Sequence, residues 1–375
     1  MRRRLQRPGL LGFLGPLGVL GLLGCAPVPE PAPPGPVDAD DDGLTEAADC
    51  DDARPVADEV PYDGFDNDCD PSTLDDDLDG DGYALANDCD DADPTVFLAD
   101  DPYVGTVDVS GLPALCAHYC ERTVEGGVLI ANTSWMTDLH ELRCLTAVRG
   151  RVLIEGNPLL TSLEGLSRLA TVEGPLQVAD NPVLGSLAGL EGLTQARSVS
   201  IQRNLSLTSL EGLSSLTSLT EGLWVAGNDG LVSLGGHALT HLDGDLVVQA
   251  NVVLPDLSGL AGVTQIDGVL QVVDNPALTS LAGLDQVTRV GSLYLGELSS
   301  LPSLAGLEAL TGIDEYLGIA YNDELADIRA LEGVSTVGGD IGISYNDRLT
   351  DDDAQALVDG IDTVGGTITI EGNGF

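Results

Sequence analysis

Leu270-Gln271-Val272-Val273-Asp274-Asn275-Pro276-Ala277-Leu278-Thr279-Ser280-Leu281-Ala282-Gly283-Leu284 is one copy of a pattern that returns about every 24 residues from Val128 onward. Copies begin at Val128, Val152, Leu176, Val199, Leu223, Leu246, Leu270, Leu293, Leu317, Ile341 and a truncated Ile368. Each reads roughly L-x-I-x-x-N-P-x-L-T-S-L-x-G-L-x-x-L-T-x-V-x-G. A period in this range marks units that cannot bury an apolar face singly and must stack.

The chemistry of one repeat explains the stacking. In Leu176-Gln177-Val178 two apolar residues flank a polar one, the period-two sign of a short strand. Asn181 closes it, as do Asn157, Asn204, Asn228, Asn251, Asn275, Asn322, Asn346 and Asn373 in theirs. A buried amide at a corner bonds the backbone of its own and the next coil. Leu184, Leu187, Leu190 and Leu193 then fill the interior on the return path, and Gly165, Gly189, Gly212 and Gly283 are expected to relieve the bend. Thr133 and Leu298 stand where Asn should, so the ladder is expected to break there. A bundle of amphipathic helices is the competing reading, and the Gly and Asn-Pro content speaks against it.

These residues resemble a leucine-rich repeat, and more closely the receptor L-domain variety, over about two-thirds of the chain. The resemblance implies a mainly β, right-handed parallel solenoid of about 10–11 coils with its sheet along one face, and no particular ligand.

The chain opens with Arg2, Arg3, Arg4 and Arg7 and an apolar run from Leu10 to Leu23, too short and glycine-rich for a membrane span. It ends Leu22-Leu23-Gly24-Cys25, which resembles a bacterial lipobox. Cys25 would then be lipidated after removal of residues 1–24, and Ala26 next to it favours the outer membrane of a Gram-negative cell; a plain secretory signal is the alternative. Residues 25–37, with six prolines between Ala26 and Val37, read as a semi-rigid spacer.

Net charge is −46, and the chain contains no lysine. Between Asp38 and Asp101 there are 25 acidic residues against one base, Arg54, which makes nucleic acid and anionic lipid surfaces poor partners. Two twelve-residue runs place acids at positions 1, 3, 5 and 12 with Gly at 6: Asp38, Asp40, Asp42, Asp49 and Asp77, Asp79, Asp81, Asp88. That is the spacing by which alternate side chains converge on calcium. Asp66, Asp68 and Asp70 form a weaker third cluster. With no strong flanking helices, residues 38–100 resemble thrombospondin type 3 repeats, and more closely the acidic metal-binding modules of secreted myxobacterial proteins. A solvated acidic linker is the alternative.

Besides Cys25, six cysteines remain: Cys50, Cys69, Cys89, Cys116, Cys120 and Cys144. An even number in an exported chain suggests disulfides. We expect Cys50 to pair with Cys69, and the other four to tie the module to a cap over residues 101–127 that covers the end of the solenoid (128–375). Cys144 is expected at an outward-facing repeat position from which it reaches that cap. Zinc binding by thiolates fits the spacing poorly.

Sequence motifs of catalysis are missing, with no G-x-S-x-G, H-E-x-x-H or phosphate-loop pattern. His237 and His241, four apart, show no third ligand. A polysaccharide-acting enzyme would need carboxylates converging on one face, whereas Glu155, Asp180, Asp274, Glu297 and Glu371 are spread along the stack. The register instead sends the second, fourth and fifth residues of each copy outward. Those include Gln177, Gln202, Arg203, Trp224, Gln249, Gln271, Tyr294, Tyr321 and Tyr345. Aromatics and amides on a rigid face suit a glycan or protein partner. The expectation is a non-catalytic, calcium-stiffened surface lipoprotein for adhesion or recognition; a purely structural envelope component is the alternative.

Overall fold

The computed structural model describes residues 102–374 apart from 110, 117, 118 and 120. The leader, Cys25, the proline spacer, all eleven acidic positions singled out between Asp38 and Asp88, and Cys50, Cys69, Cys89 and Cys120 lie outside the described residues. The described chain is a mainly β, parallel solenoid of about 11 turns with little helix.

Each repeat lays its strand on the one before. Val128–Ala131 pairs in parallel with Val152–Glu155, with Val128 facing Val152 and Ile130 facing Ile154. The same like-on-like register joins Leu246 to Leu270 and Val248 to Val272, and ends with Ile341 on Ile368 and Ile343 on Ile370. First and third residues therefore stack as inward columns of branched side chains, the pattern a parallel sheet demands. A second, shorter row runs beside this one, through Arg122–Val124, Leu145–Val148, His241–Leu242, Gly312–Ile313, Thr336–Val337 and Thr363–Val364. In Thr171–Ala179, Gln195–Gln202, Ser218–Ala226, Gln265–Val273 and Arg289–Gly296 the two rows merge into one strand. There the register slips where the chain passes from one row to the other, as between Ile266 and Val269.

The return path is a column of leucines at three-residue spacing, fitting the short 3-10 turns such as Glu164–Leu166 and Glu211–Leu213. Leu184, Leu187, Leu190 and Leu193 are completely buried, each worth about 1.5–3 kcal/mol against exposure. Of the glycines on this path, Gly189 and Gly283 take φ of 107° and 109°, as expected where the chain bends, while Gly165 and Gly212 do something else. A Cβ at Gly165 would land on the Leu139 carbonyl, and one at Gly212 on that of Leu187, although neither glycine has a positive φ. Their bareness lets neighbouring coils close to contact distance. Thr194, Thr217, Thr264, Thr288 and Thr311 add a hydroxyl ladder, each donating to a carbonyl of the preceding coil at 2.9–3.1 Å.

The asparagines stand at the corner, buried. Asn181 Nδ2 donates to the Ile154 carbonyl one coil back at 3.0 Å, and its Oδ1 accepts the Asn157 N–H at 3.1 Å. Its own N–H donates to Asn204 Oδ1. Each amide thus satisfies a carbonyl and an N–H of the preceding coil, while its own N–H is satisfied by the amide of the next, the arrangement buried polar backbone requires. The two expected breaks need correction. Thr133 continues the ladder, since its N–H and hydroxyl both donate to Asn157 Oδ1, at 3.1 and 2.7 Å. Leu298 breaks it on one side only: its N–H still donates to Asn322 Oδ1, but its side chain returns no oxygen to the coil before.

The first coil is covered, whereas at the other end Ile368 on the last strand stays 47% exposed. Val107–Asp108 pairs in parallel with the first repeat, Val107 facing Val128, and Leu112, Leu115 and Cys116 bury against the core. Cys144 is fully buried and joined to Cys116. In the repeat register Cys144 takes the outward place that exposed Arg168 holds one coil on; it is buried because the cap residues Leu115 and Cys116 close over it, and the disulfide to Cys116 is the expected reach to the cap. At the other end helix Asp351–Asp359 lies over the last coil, burying Ala354, Leu357 and Val358. Thr350 Oγ1 caps it by accepting the Asp353 N–H at 3.0 Å, and Asp351–Asp353 favour its positive end.

Candidate functional site

The residue just before each corner asparagine is held in left-handed backbone. In all eleven copies φ is positive: Gly at 156, 227 and 372, and Asn132, Asp180, Arg203, Ala250, Asp274, Glu297, Tyr321 and Tyr345 elsewhere, with φ between 51° and 68°. The turn places these side chains at the rim of the sheet, and the amide ladder fixes them there. For a residue with a Cβ that conformation costs roughly 1–2 kcal/mol, less for Asn, while Gly adopts it freely. The rim column is therefore where side chains stay in spite of backbone strain, and such strain gathers at functional positions.

Two pairs use this column. Arg203 grips Asp180 on the preceding coil through Nε at 2.8 Å and Nη2 at 2.5 Å, and that guanidinium holds the Asp180 carboxyl below the usual range. Farther along, Tyr321 and Tyr345 stack with ring centroids 5.0 Å apart and planes 7° from parallel. Both are about half exposed, at 52% and 44%. Stacked offset rings add on the order of 1 kcal/mol to each other and present one continuous apolar surface.

Next to that stack the sheet is paved with glycine. Gly296, Gly318 and Gly342 occupy strand positions where other coils carry side chains, and Gly318 faces both Tyr294 and Gly342 across the ladder. A Cβ on Gly318 would fall 2.6 Å from Tyr294 Cδ2 and 2.5 Å from Tyr316 Cε1. The two rings thus lie down over the glycines, Tyr294 toward Gly296 and Tyr316 toward Gly342. Burial, followed by the charges of Tyr316, Glu297 and Tyr321, pushes the Tyr294 phenol up. Four tyrosines from three successive coils form one amphipathic patch with Glu297 at its edge.

The structure sorts the expected outward positions. Second-position residues Gln177, Trp224, Gln271 and Tyr294 are half-buried on the sheet face, as is Gln249 at a fourth position. Of the other fourth positions, Ala131, Glu155, Gln202, Ala226 and Ser344 are half-buried and Glu371 is exposed, so the column faces out as expected, while Ala179, Val273 and Ala320 in it are covered by their neighbours. Gln202 Nε2 donates to Ser200 Oγ and its Oε1 accepts from Arg203, so its amide is engaged locally. Trp224 packs in register with Ser200 and Val247, three coils before Tyr294, and is no part of the tyrosine patch. Tyr316 was not among the expected residues, because it precedes its strand and escapes the repeat register. The empty second positions Gly318 and Gly342 were the signal that something bulky lies above them.

The histidines part company. His237 stands on the return path with neither ring nitrogen hydrogen-bonded, and burial pushes its pKa down from 6.5 to about 4. His241 is exposed on the second strand row. Among the described residues no helix is long and apolar enough to cross a membrane.

No protein-family model matches the chain, and no curated protein matches it. Among solved structures it is similar to an internalin from Listeria monocytogenes, at 15% identity and a TM-score of 0.35, over 66% of this chain and 82% of that one.

Proposed function

We propose that the protein is a non-catalytic recognition module that binds a glycan or protein partner through the tyrosine patch. What supports this is the Tyr321–Tyr345 stack: two bulky rings held in left-handed backbone, where glycine would be less strained, and left half exposed. A rigid aromatic surface gives contact area at little entropic cost, because coil stacking has already immobilised it. Net charge of −46 disfavours acidic partners and steers toward neutral glycans or basic protein surfaces.

In this reading Cys25 carries a lipid anchor in the outer membrane, residues 26–37 hold the folded part away from it, and calcium orders residues 38–100 into a stalk. Support for these comes from the sequence: the lipobox-like Leu22–Cys25, and the doubled acid spacing at Asp38–Asp49 and Asp77–Asp88.

The test is to probe glycan and protein arrays with the purified chain, with and without millimolar calcium. Binding to a chemically coherent subset supports recognition. A blank array in both conditions leaves the purely structural role as the better account, and hydrolysis of any arrayed glycan overturns the non-catalytic reading.

A further inference from the structure

We infer that His241, Asp243 and Asp267 form a site for a divalent metal of the zinc class on the second strand row, away from the tyrosine patch. His241 pairs with Gln265 and Leu242 with Ile266, so the residues that follow, Asp243 and Asp267, are neighbours on adjacent coils. One ligand atom from each of the three comes within 4.8 Å of the others. His241 Nε2 lies 3.7 Å from Asp243 Oδ1 and 3.1 Å from Asp267 Oδ2. Metal–ligand bonds of about 2.0–2.2 Å in a tetrahedron put ligand atoms roughly 3.3–3.6 Å apart, and the two observed separations bracket that edge.

The surroundings point the same way. Along this ridge, charges on successive coils alternate: Arg149 bridges Glu125 at 2.9 Å and Glu173 at 3.8 Å, and Arg197 faces Glu221 at 3.4 Å. At Asp243 and Asp267 the alternation fails, and acid neighbours acid. The nearest arginine, Arg289, is engaged by Asp314 on the next coil. Gln265 Nε2 donates to Asp267 Oδ1 at 2.5 Å, which holds that carboxylate with Oδ2 turned toward the imidazole. This is the support a ligating carboxylate needs.

His140 supplies an internal contrast. It too is flanked by two acids, but Asp138 meets Nδ1 at 2.6 Å and Glu141 meets Nε2 at 3.2 Å, on opposite sides of the ring. Those acids cannot share one ion with it. At His241 both carboxylates face the same nitrogen. An imidazole donor selects zinc, cobalt or nickel over calcium, which takes oxygen ligands alone. All three residues are exposed, so water completes the coordination shell.

The test is calorimetric titration of the full-length chain with zinc chloride in saturating calcium, which fills carboxylate-only sites, with cobalt(II) visible absorption as the second readout. We expect one zinc equivalent and tetrahedral cobalt bands that disappear in His241→Ala and Asp267→Asn and persist in His140→Ala. Gln265→Leu weakens that equivalent about 10–100-fold. Because His140, His241 and Asp267 are exposed and Gln265 is only half-buried, metal-free circular dichroism should be the same for every variant. A His241→Ala isotherm that superimposes on wild type overturns the site, as does equal loss in His140→Ala and His241→Ala.

Discussion

The rings of Tyr321 and Tyr345 stack 5.0 Å apart, one coil above the other, although the backbone beneath each is in the left-handed region. The stack follows from the register: both residues precede a corner asparagine, Asn322 and Asn346, and Asn322 donates to Asn346 Oδ1 from its N–H and from Nδ2 at 3.2 and 2.9 Å. The ladder below sets the spacing of the rings above.

The ladder's contribution is measurable at Asn204. Its Nδ2 reaches the Val178 carbonyl at 2.9 Å, and its Oδ1 accepts the Asn181 N–H at 3.1 Å, all of them buried. Asn204→Ala leaves that carbonyl and that N–H unpaired. We expect a loss of roughly 2–5 kcal/mol in urea unfolding, since each orphaned buried group costs about 1–3 kcal/mol. A loss below about 1 kcal/mol would show that the amide is not what joins the coils.

Ala250 tests the strain of the rim column. It holds φ 52° with no polar side chain to compensate. Ala250→Gly removes a steric cost of about 1–2 kcal/mol and adds about 0.5–1 kcal/mol of chain entropy, so stability should rise by on the order of 0.5–1 kcal/mol. Ala250→Val should lower it. A thermal melt in which glycine destabilises would contradict the assignment of strain to this column.

His237 makes stability depend on pH. Its folded pKa of about 4 lies below the ordinary 6.5, because burial disfavours the charged ring. The unfolded chain therefore binds the proton first, and stability is lost as pH falls from about 6.5 toward 4, by up to about 3 kcal/mol. Above pH 6.5 this contribution is absent. His237→Leu should raise stability and flatten that part of the profile relative to wild type, as followed by denaturant midpoints at pH 7 and 4.5. Parallel profiles for the two proteins would refute the assignment.

Coil stacking was legible in the sequence because Asn and Leu fall at fixed intervals and a parallel solenoid turns a linear period into a column. What escaped lies where the chain leaves that period. Tyr316 sits between the two strand rows, and the Asp243–Asp267 neighbourhood depends on a short pairing of His241–Leu242 that no repeat position announces. Cys144 holds the outward repeat place read for it and reaches the cap at Cys116; its burial was not legible because the cap that covers it follows no repeat. Gly165 was assigned to a bend when its role is to admit the Leu139 carbonyl of the preceding coil, a contact between residues 26 apart that local propensity does not reveal. Thr133 looked like a gap because only amides were considered as ladder members, whereas a hydroxyl donates equally well.

The most direct test is to compare Tyr321→Ala/Tyr345→Ala with wild type against the array ligand, by surface plasmon resonance, with Trp224→Ala alongside. Both tyrosines are half exposed on a rim held by other residues, so unfolding midpoints should change little. The account predicts at least a tenfold loss of affinity for the tyrosine double variant, as removal of central aromatic anchors gives, and near-wild-type binding for Trp224→Ala. Unchanged affinity in the double variant, with its fold intact, would contradict it.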